Sequence, residues 1–205
     1  MNGNITVLLW TCVGFLLGAM PFSFWLGQLI LKTDIRRYGD GNPGAINAWR
    51  AGGLRSGAPA LLLDYSKAAL PVGIAHQIIG LDGWGLLPVA LAPIVGHAFS
   101  PFLRFRGGKA VASTFGTWTG LNPWEAPTFL GVFFSFFFIL QSSDAWSVIL
   151  GMACFICYLL FWQSSGVTMV IVAGNMAILV WKHHREMRQF PKIRPWIFAV
   201  LKRCL

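Results

Sequence analysis

The sequence predicts an all-α integral membrane protein: a seven-transmembrane-helix bundle with the N-terminus outside, the C-terminus cytoplasmic and some spans short. Three observations predict it. Hydrophobic residues make up 56% of the 205 positions and charged ones only 11%, against about 25% charged in soluble domains. Apolar runs of near-spanning length recur along the whole chain. The basic residues sit at the ends of those runs, as juxtamembrane residues do. Residues 1–205 are therefore expected to form a single membrane domain.

The first span is read at 5–31, with Pro21 as a kink or a break. It is too long, and too lightly charged before its apolar run, for a cleaved signal sequence. The second, 60–80, carries Asp64 and Lys67 near its start. Spaced three apart they share a helical face, and charges at that depth are costly unless paired or wet. They are either an internal ion pair that fixes helix packing or one wall of a site. A polar turn at 81–85 leads to a third span at 86–99, shorter than the roughly 20 residues of a usual crossing. A short fourth follows at 110–121, then a turn at 122–125, a phenylalanine-rich fifth at 126–140, a sixth at 146–162 and a seventh at 166–181.

Threaded this way, the cytoplasmic regions are 32–58, 100–109, 141–145 and the basic tail 182–205, and they hold every lysine and arginine except Lys67. The outer turns carry Asp82 and Glu125. This asymmetry follows the positive-inside rule. It also accounts for the formal charge of +9 through anionic lipid and not nucleic acid. The stretch 196–205 mixes apolar and basic residues and is expected either to lie along the membrane surface as an anchor or to fray. Of the four cysteines, Cys12, Cys154 and Cys157 lie in apolar runs and Cys204 near the end, which gives no disulfide framework. Cys154 and Cys157 have redox-motif spacing but lack the polar setting a reactive thiolate needs.

Two cytoplasmic stretches carry the candidate chemistry. The first, DIRRYGDGNPGAINAWR from Asp34 to Arg50, is polar, charged and glycine-rich at once. Arg36, Arg37, Asn42, Asn47 and Arg50 can each contact an anion, and Gly39, Gly41 and Gly44 permit turns that converge backbone N–H groups on one point. The spacings of the common nucleotide loops are missing, and no strand pattern precedes it. Asp40 is read as a loop-ordering residue that accepts nearby N–H groups or an arginine. The second stretch, SPFLRFRGGKAVASTFG from Ser100 to Gly116, places Arg104, Gly107, Gly108 and Lys109 before an apolar helix that Lys109 is expected to open. A lysine beside a helix entrance suits a phosphate or oxyanion. His97, at the inner end of its span, either braces a helix or touches substrate. No histidine, cysteine or carboxylate spacing resembles a zinc site, and no hydroxyl or thiol has an evident base beside it. The residues alone point to an anionic amphiphile, held with its head at the interface and its chain in the bundle, with group transfer as the reaction that needs least from side chains.

Taken together, GHAFSPFLRFRGGKAVAS (96–113), DIRRYGDGNPGAINAWR and LLLDYSKAALP (61–71) resemble, in order and spacing, the bacterial acyl-phosphate:glycerol-3-phosphate acyltransferase family. The resemblance implies seven spans, an active site facing the cytoplasm from the bacterial inner membrane, acyl phosphate and glycerol-3-phosphate as partners beside membrane lipids, and no cofactor, metal or nucleotide. It implies lysophosphatidic acid and phosphate as products. The oligomeric state is open, with a monomer as the working expectation.

Matched by motif, Lys109 would neutralise the acyl-phosphate head or the charge at its carbonyl, assisted by the N–H groups of Gly107 and Gly108. Arg50 would hold one phosphate, with Asn42, Gly44 and Asn47 shaping the loop. His97 belongs to a glycine-histidine pair, and His184 and Glu186 to a third cytoplasmic motif. Arg36 and Asp64 would correspond to charged positions flanking the same site, and Asp40, Lys67 and Arg104 are expected to bind substrate beside them. The acceptor hydroxyl would lose its proton to a substrate phosphate. Three positions depart from the family pattern: Asp40 for serine, Met187 for asparagine and Ala110 for glycine. The alternatives are a divergent relative that uses another phosphorylated acceptor, and a non-catalytic protein that binds anionic lipid. A small transporter is disfavoured, because the polar groups gather at one interface and no inverted repeat is apparent.

Overall fold

The computed structural model describes residues 3–162 and 164–197. Among them the chain forms helices α1 (Gly3–Ala19), α2 (Phe22–Leu31), α3 (Ala45–Gly52), α4 (Leu54–Gly73), α5 (Leu86–Ala98), α6 (Val111–Leu121), α7 (Glu125–Leu140), α8 (Asp144–Phe161) and α9 (Gly166–His183). The β pairing among these residues is an isolated bridge between Gln141 and Ile193. Among the described residues four stretches are long and apolar enough to cross a membrane: Gly3–Leu31, Gly83–Leu103, Asp144–Phe161 and Gly166–His183. The expected short third span gains length from 3₁₀ turns at Gly83–Gly85 and Pro101–Leu103, which extend α5 to a 21-residue apolar stretch. The chain divides into two compact units, Met1–Pro127 and Thr128–Leu205.

In the first unit the break at Pro21 falls where the sequence places it, between α1 and α2. Proline lacks the N–H that would continue the helix, so upstream carbonyls need other donors. The Ala19 carbonyl accepts from Ser100 Oγ at 2.5 Å, and the Met20 carbonyl from Lys67 Nζ at 2.8 Å. Helix α1 packs on α5 at glycines: a side chain on Gly18 would overlap the backbone of Pro93, and one on Gly96 the carbonyl of Phe15. Helix α6 meets α4 the same way, with Gly116 against Tyr65 and Gly120 against Gly73. Close backbone approach is what holds helices together where lipid competes for apolar side chains.

Three local readings change. Helix α4 begins at Leu54, not 60, and ends in a π turn at Ile74–Ile78, where His76 Nδ1 meets the Leu81 carbonyl at 2.9 Å. The first cytoplasmic stretch is a folded piece with its own helix, α3. Ile35, fully buried, packs with Ala45, Ala48 and Ala60 and fixes that piece on α2 and α4. Helix α6 opens at Val111, so Lys109 precedes the helix instead of opening it, and Ala110 takes the cap position at φ +63°. A left-handed alanine costs roughly 1–2 kcal/mol. Its methyl is 1% exposed, and burial worth about 0.8 kcal/mol offsets part of that where the family pattern has glycine.

In the second unit, Phe129 stacks on Tyr158 at 4.2 Å and the buried Phe134 lies on Gly151, which ties α7 to α8. The start of the basic tail folds back on the α7–α8 turn. Arg194 donates from its backbone to the Leu140 carbonyl at 2.9 Å and from Nε to those of Phe138 and Gln141 at 3.1 and 2.8 Å. These bonds close the C-terminal carbonyls of α7, which no helical partner reaches. Most of the anchor expected at 196–205, and Cys204, lie outside the described residues.

Candidate functional site

The first loop and Lys109 form one network. Asp40 Oδ1 accepts from the Asn42 N–H at 3.1 Å and from Asn47 Nδ2 at 2.9 Å, while Oδ2 pairs with Lys109 Nζ at 2.5 Å. Asn47, 1% exposed, also donates to the Asn42 carbonyl at 2.9 Å and accepts from Arg50 Nη1 at 3.2 Å. Gly39 makes this possible: it sits at φ +57°, and a Cβ there would overlap the Arg50 guanidinium and the Asn47 amide oxygen. Burial pushes the Asp40 carboxyl up, but the Lys109 ammonium and the Asn42 and Asn47 donors outweigh it and hold the group below its ordinary range. Asp40 thus orders the loop as the sequence predicts, with a lysine where an arginine was the expected cation.

Beneath this network lies a second constellation. Asp64 Oδ1 and Lys67 Nζ pair at 2.8 Å with both side chains 2% exposed, and Ser23 Oγ donates to Asp64 Oδ2 at 2.5 Å. His97 Nδ1 stands 3.9 Å from Asp64 Oδ1. Asp64, Lys67 and His97 line a cavity of about 10 Å³ together with Pro43 of the first loop and Gly108 of the second, room for about one water molecule. Asp64 and Lys67 thus form the internal ion pair that the sequence offers as one reading, and the same pair lines this cavity. The Gly108 N–H donates to the His97 carbonyl at 3.0 Å, which differs from its expected use on a ligand. A Cβ on Gly108 would also run into the His97 ring, whose Cδ2 would lie 3.0 Å away. Gly108→Ala is expected to displace that buried ring and to destabilise the protein by about 1–3 kcal/mol, read as a lowered Tm in detergent; an unchanged Tm would show that the ring has room to move.

The remaining expected residues fall elsewhere. Arg36 is engaged in its own turn: it bonds Asp34 Oδ2 through Nη2 at 2.7 Å and lies 4.7 Å above the Phe24 ring. That hydrogen bond is the main reason Asp34 stays below the usual carboxylate range. Arg104 ends the Pro101–Leu103 turn at φ +53° and is exposed. Gly44 is buried at the N-cap of α3. His184 and Glu186 belong to the second unit, His184 with Nδ1 at 2.5 Å from the Trp181 carbonyl and Glu186 opening a short turn that includes Met187. Nothing in that turn explains Met187. Ser23 and Ser100 are the polar contributors that sequence reading missed. Their signal was the proline break, which frees carbonyls and brings small hydroxyl residues beside charged ones.

An all-helical chain with several bilayer-length apolar stretches and a cluster of paired carboxylate, amide and basic groups is a multi-pass membrane protein. The sequence model described as glycerol-3-phosphate acyltransferase matches residues 8–192. Glycerol-3-phosphate acyltransferase 1 of Thermotoga maritima is 38% identical over 194 residues, covering 88% of this chain and 95% of that protein. The glycerol-3-phosphate acyltransferase of Maridesulfovibrio salexigens is 34% identical over 189 residues, covering 90% and 93%. The chain belongs to the glycerol-3-phosphate acyltransferase family. In fold it is similar to the crystal structure of PlsY (YgiH), an integral membrane glycerol 3-phosphate acyltransferase in its glycerol 3-phosphate form, with a TM-score of 0.83 at 24% identity over 95% of this chain and 98% of that one.

Proposed function

We propose that this membrane acyltransferase moves an acyl chain from acyl phosphate to the 1-hydroxyl of glycerol-3-phosphate, releasing lysophosphatidic acid and phosphate at the cytoplasmic face of the bacterial inner membrane. The observation that carries the reading is the network that ties Arg50, Asn47 and Asn42 of one glycine-bearing stretch to Lys109 of the other. Two phosphates need such donors, one on each substrate. In this reading Arg50 and the asparagines hold one phosphate. Lys109 faces the other and the charge that develops on the acyl carbonyl oxygen. The acceptor oxygen forms its bond to the acyl carbon, the bond from that carbon to the phosphate oxygen breaks, and the hydroxyl proton passes to a phosphate oxygen. No side chain has to serve as base. His184 and Glu186 enter the proposal through their motif. Seven spans with the N-terminus outside put every basic stretch on the side where the substrates meet.

A second reading, a relative with a different phosphorylated acceptor, is favoured by the negative charge of Asp40 among the phosphate donors. Purified protein given acyl phosphate and glycerol-3-phosphate is expected to form lysophosphatidic acid and release phosphate in equal amounts. Parallel reactions with other phosphorylated alcohols separate the two readings, and acyl coenzyme A and acyl carrier protein serve as donor controls. Turnover with acyl coenzyme A alone would sink the donor assignment.

A further inference from the structure

We infer that Asp40 is a resident counter-anion of Lys109: its carboxylate takes the ammonium that a phosphate oxygen would use, and a phosphate-bearing substrate binds by displacing it from that ammonium. The inference rests on the proposed site and names what sets that site's affinity for phosphate.

The geometry is that of a bound anion. One carboxylate oxygen sits between a backbone N–H and a buried amide, and the other on a lysine ammonium at 2.5 Å. A lysine, an amide and a main-chain N–H are the groups that hold phosphate oxygens elsewhere. The lysine is also the group best able to change partner. Asp40 is fixed through Oδ1 by two bonds inside its own loop, whereas Lys109 reaches it on a flexible four-carbon stem from the other stretch. The pair is accessible enough for exchange, with side chains 32% exposed at Asp40 and 19% at Lys109. After exchange the carboxylate stays beside the phosphate because its Oδ1 bonds are local, and two like charges side by side weaken binding. Asp40 thus opposes phosphate twice, as competitor for the lysine and as neighbour.

This is a positioning and specificity role, and it has a sign that a purely structural tie does not share. Removing a tie that merely held the loops together would loosen the site and weaken phosphate binding. Removing a resident anion strengthens it. The test is equilibrium dialysis of radiolabelled inorganic phosphate against the purified wild-type chain and the Asp40→Asn and Asp40→Ser variants, without acyl donor, beside Tm values and, in a separate assay, the KM for acyl phosphate. Both variants are expected to bind phosphate about tenfold more tightly and to show a lower KM even if Tm falls. The gain is expected to vanish when Lys109→Ala is added, because the freed ammonium is its source. Unchanged or weaker phosphate binding in either folded variant overturns the inference, as does a gain that survives loss of Lys109. Absence of phosphate binding in wild type and variants alike also overturns it. Tighter phosphate binding in variants whose wild-type parent forms no lysophosphatidic acid would leave the inference standing and remove the acyl-transfer reading.

Discussion

Lys109→Ala is expected to slow acyl transfer from acyl phosphate by about 100- to 1000-fold, the range seen when one preorganised donor to a developing negative charge is deleted. Lys109 is the cation of the second stretch that the network joins to Asp40, and through it to the Asn47–Arg50 pair of the first. In the proposed reaction an oxyanion forms at the acyl carbonyl and phosphate departs with added charge. A single ammonium beside both lowers the barrier more than it stabilises bound substrate, so kcat falls more than KM rises. The fold has little at stake, since a partly exposed ion pair is worth about 1 kcal/mol or less, and the variant is expected to keep its Tm. Lys109→Arg keeps the charge but places it on a broad planar fork, and an intermediate rate is expected. Steady-state release of phosphate, with lysophosphatidic acid measured in parallel, reads the effect. A folded alanine variant within a few-fold of wild type would remove Lys109 from the reaction.

How much of this was legible in the sequence depended on the range of the interaction. The break at Pro21 is a property of one residue, and both stretches that carry the candidate chemistry announced themselves by composition. Asp40 as a loop-ordering acceptor was equally local, because two of its donors lie within seven residues. Its pairing with Lys109 was not legible: that contact exists only because α4 and α5 fold so as to bring the two stretches together. The same holds for Gly108, whose N–H goes to the His97 carbonyl. Read alone, a glycine before a lysine looks like a ligand cradle. Helix α3 was hidden by the glycines around it, and what stabilises so short a helix is the burial of Ile35, Ala45 and Ala48, a tertiary effect that overrides weak propensity.

Asp64 and Lys67 should behave as a unit: each single apolar replacement, Asp64→Leu or Lys67→Met, is expected to destabilise the protein by about 3–5 kcal/mol, and the double replacement by less than either. Both side chains are 2% exposed and 2.8 Å apart. Removing either leaves the other ion in a place water barely reaches, where it must be hydrated by rearrangement or neutralised. Removing both abolishes that charge imbalance, and two apolar side chains of similar volume can pack between α2, α4 and α5. Recovery is not complete, because Lys67 also serves the Met20 carbonyl freed by Pro21 and Asp64 also accepts from Ser23. Those two groups would lose partners at about 1–3 kcal/mol each. A double-mutant cycle on unfolding in detergent measures the coupling, and strictly additive effects would mean that the two charges are solvated independently. Activity should not follow stability. The same pair lines the cavity shared by Pro43 and Gly108, so the double variant is expected to fold better than either single one while forming product no faster, which separates a charge pair that holds helices from one that also shapes the floor of the site.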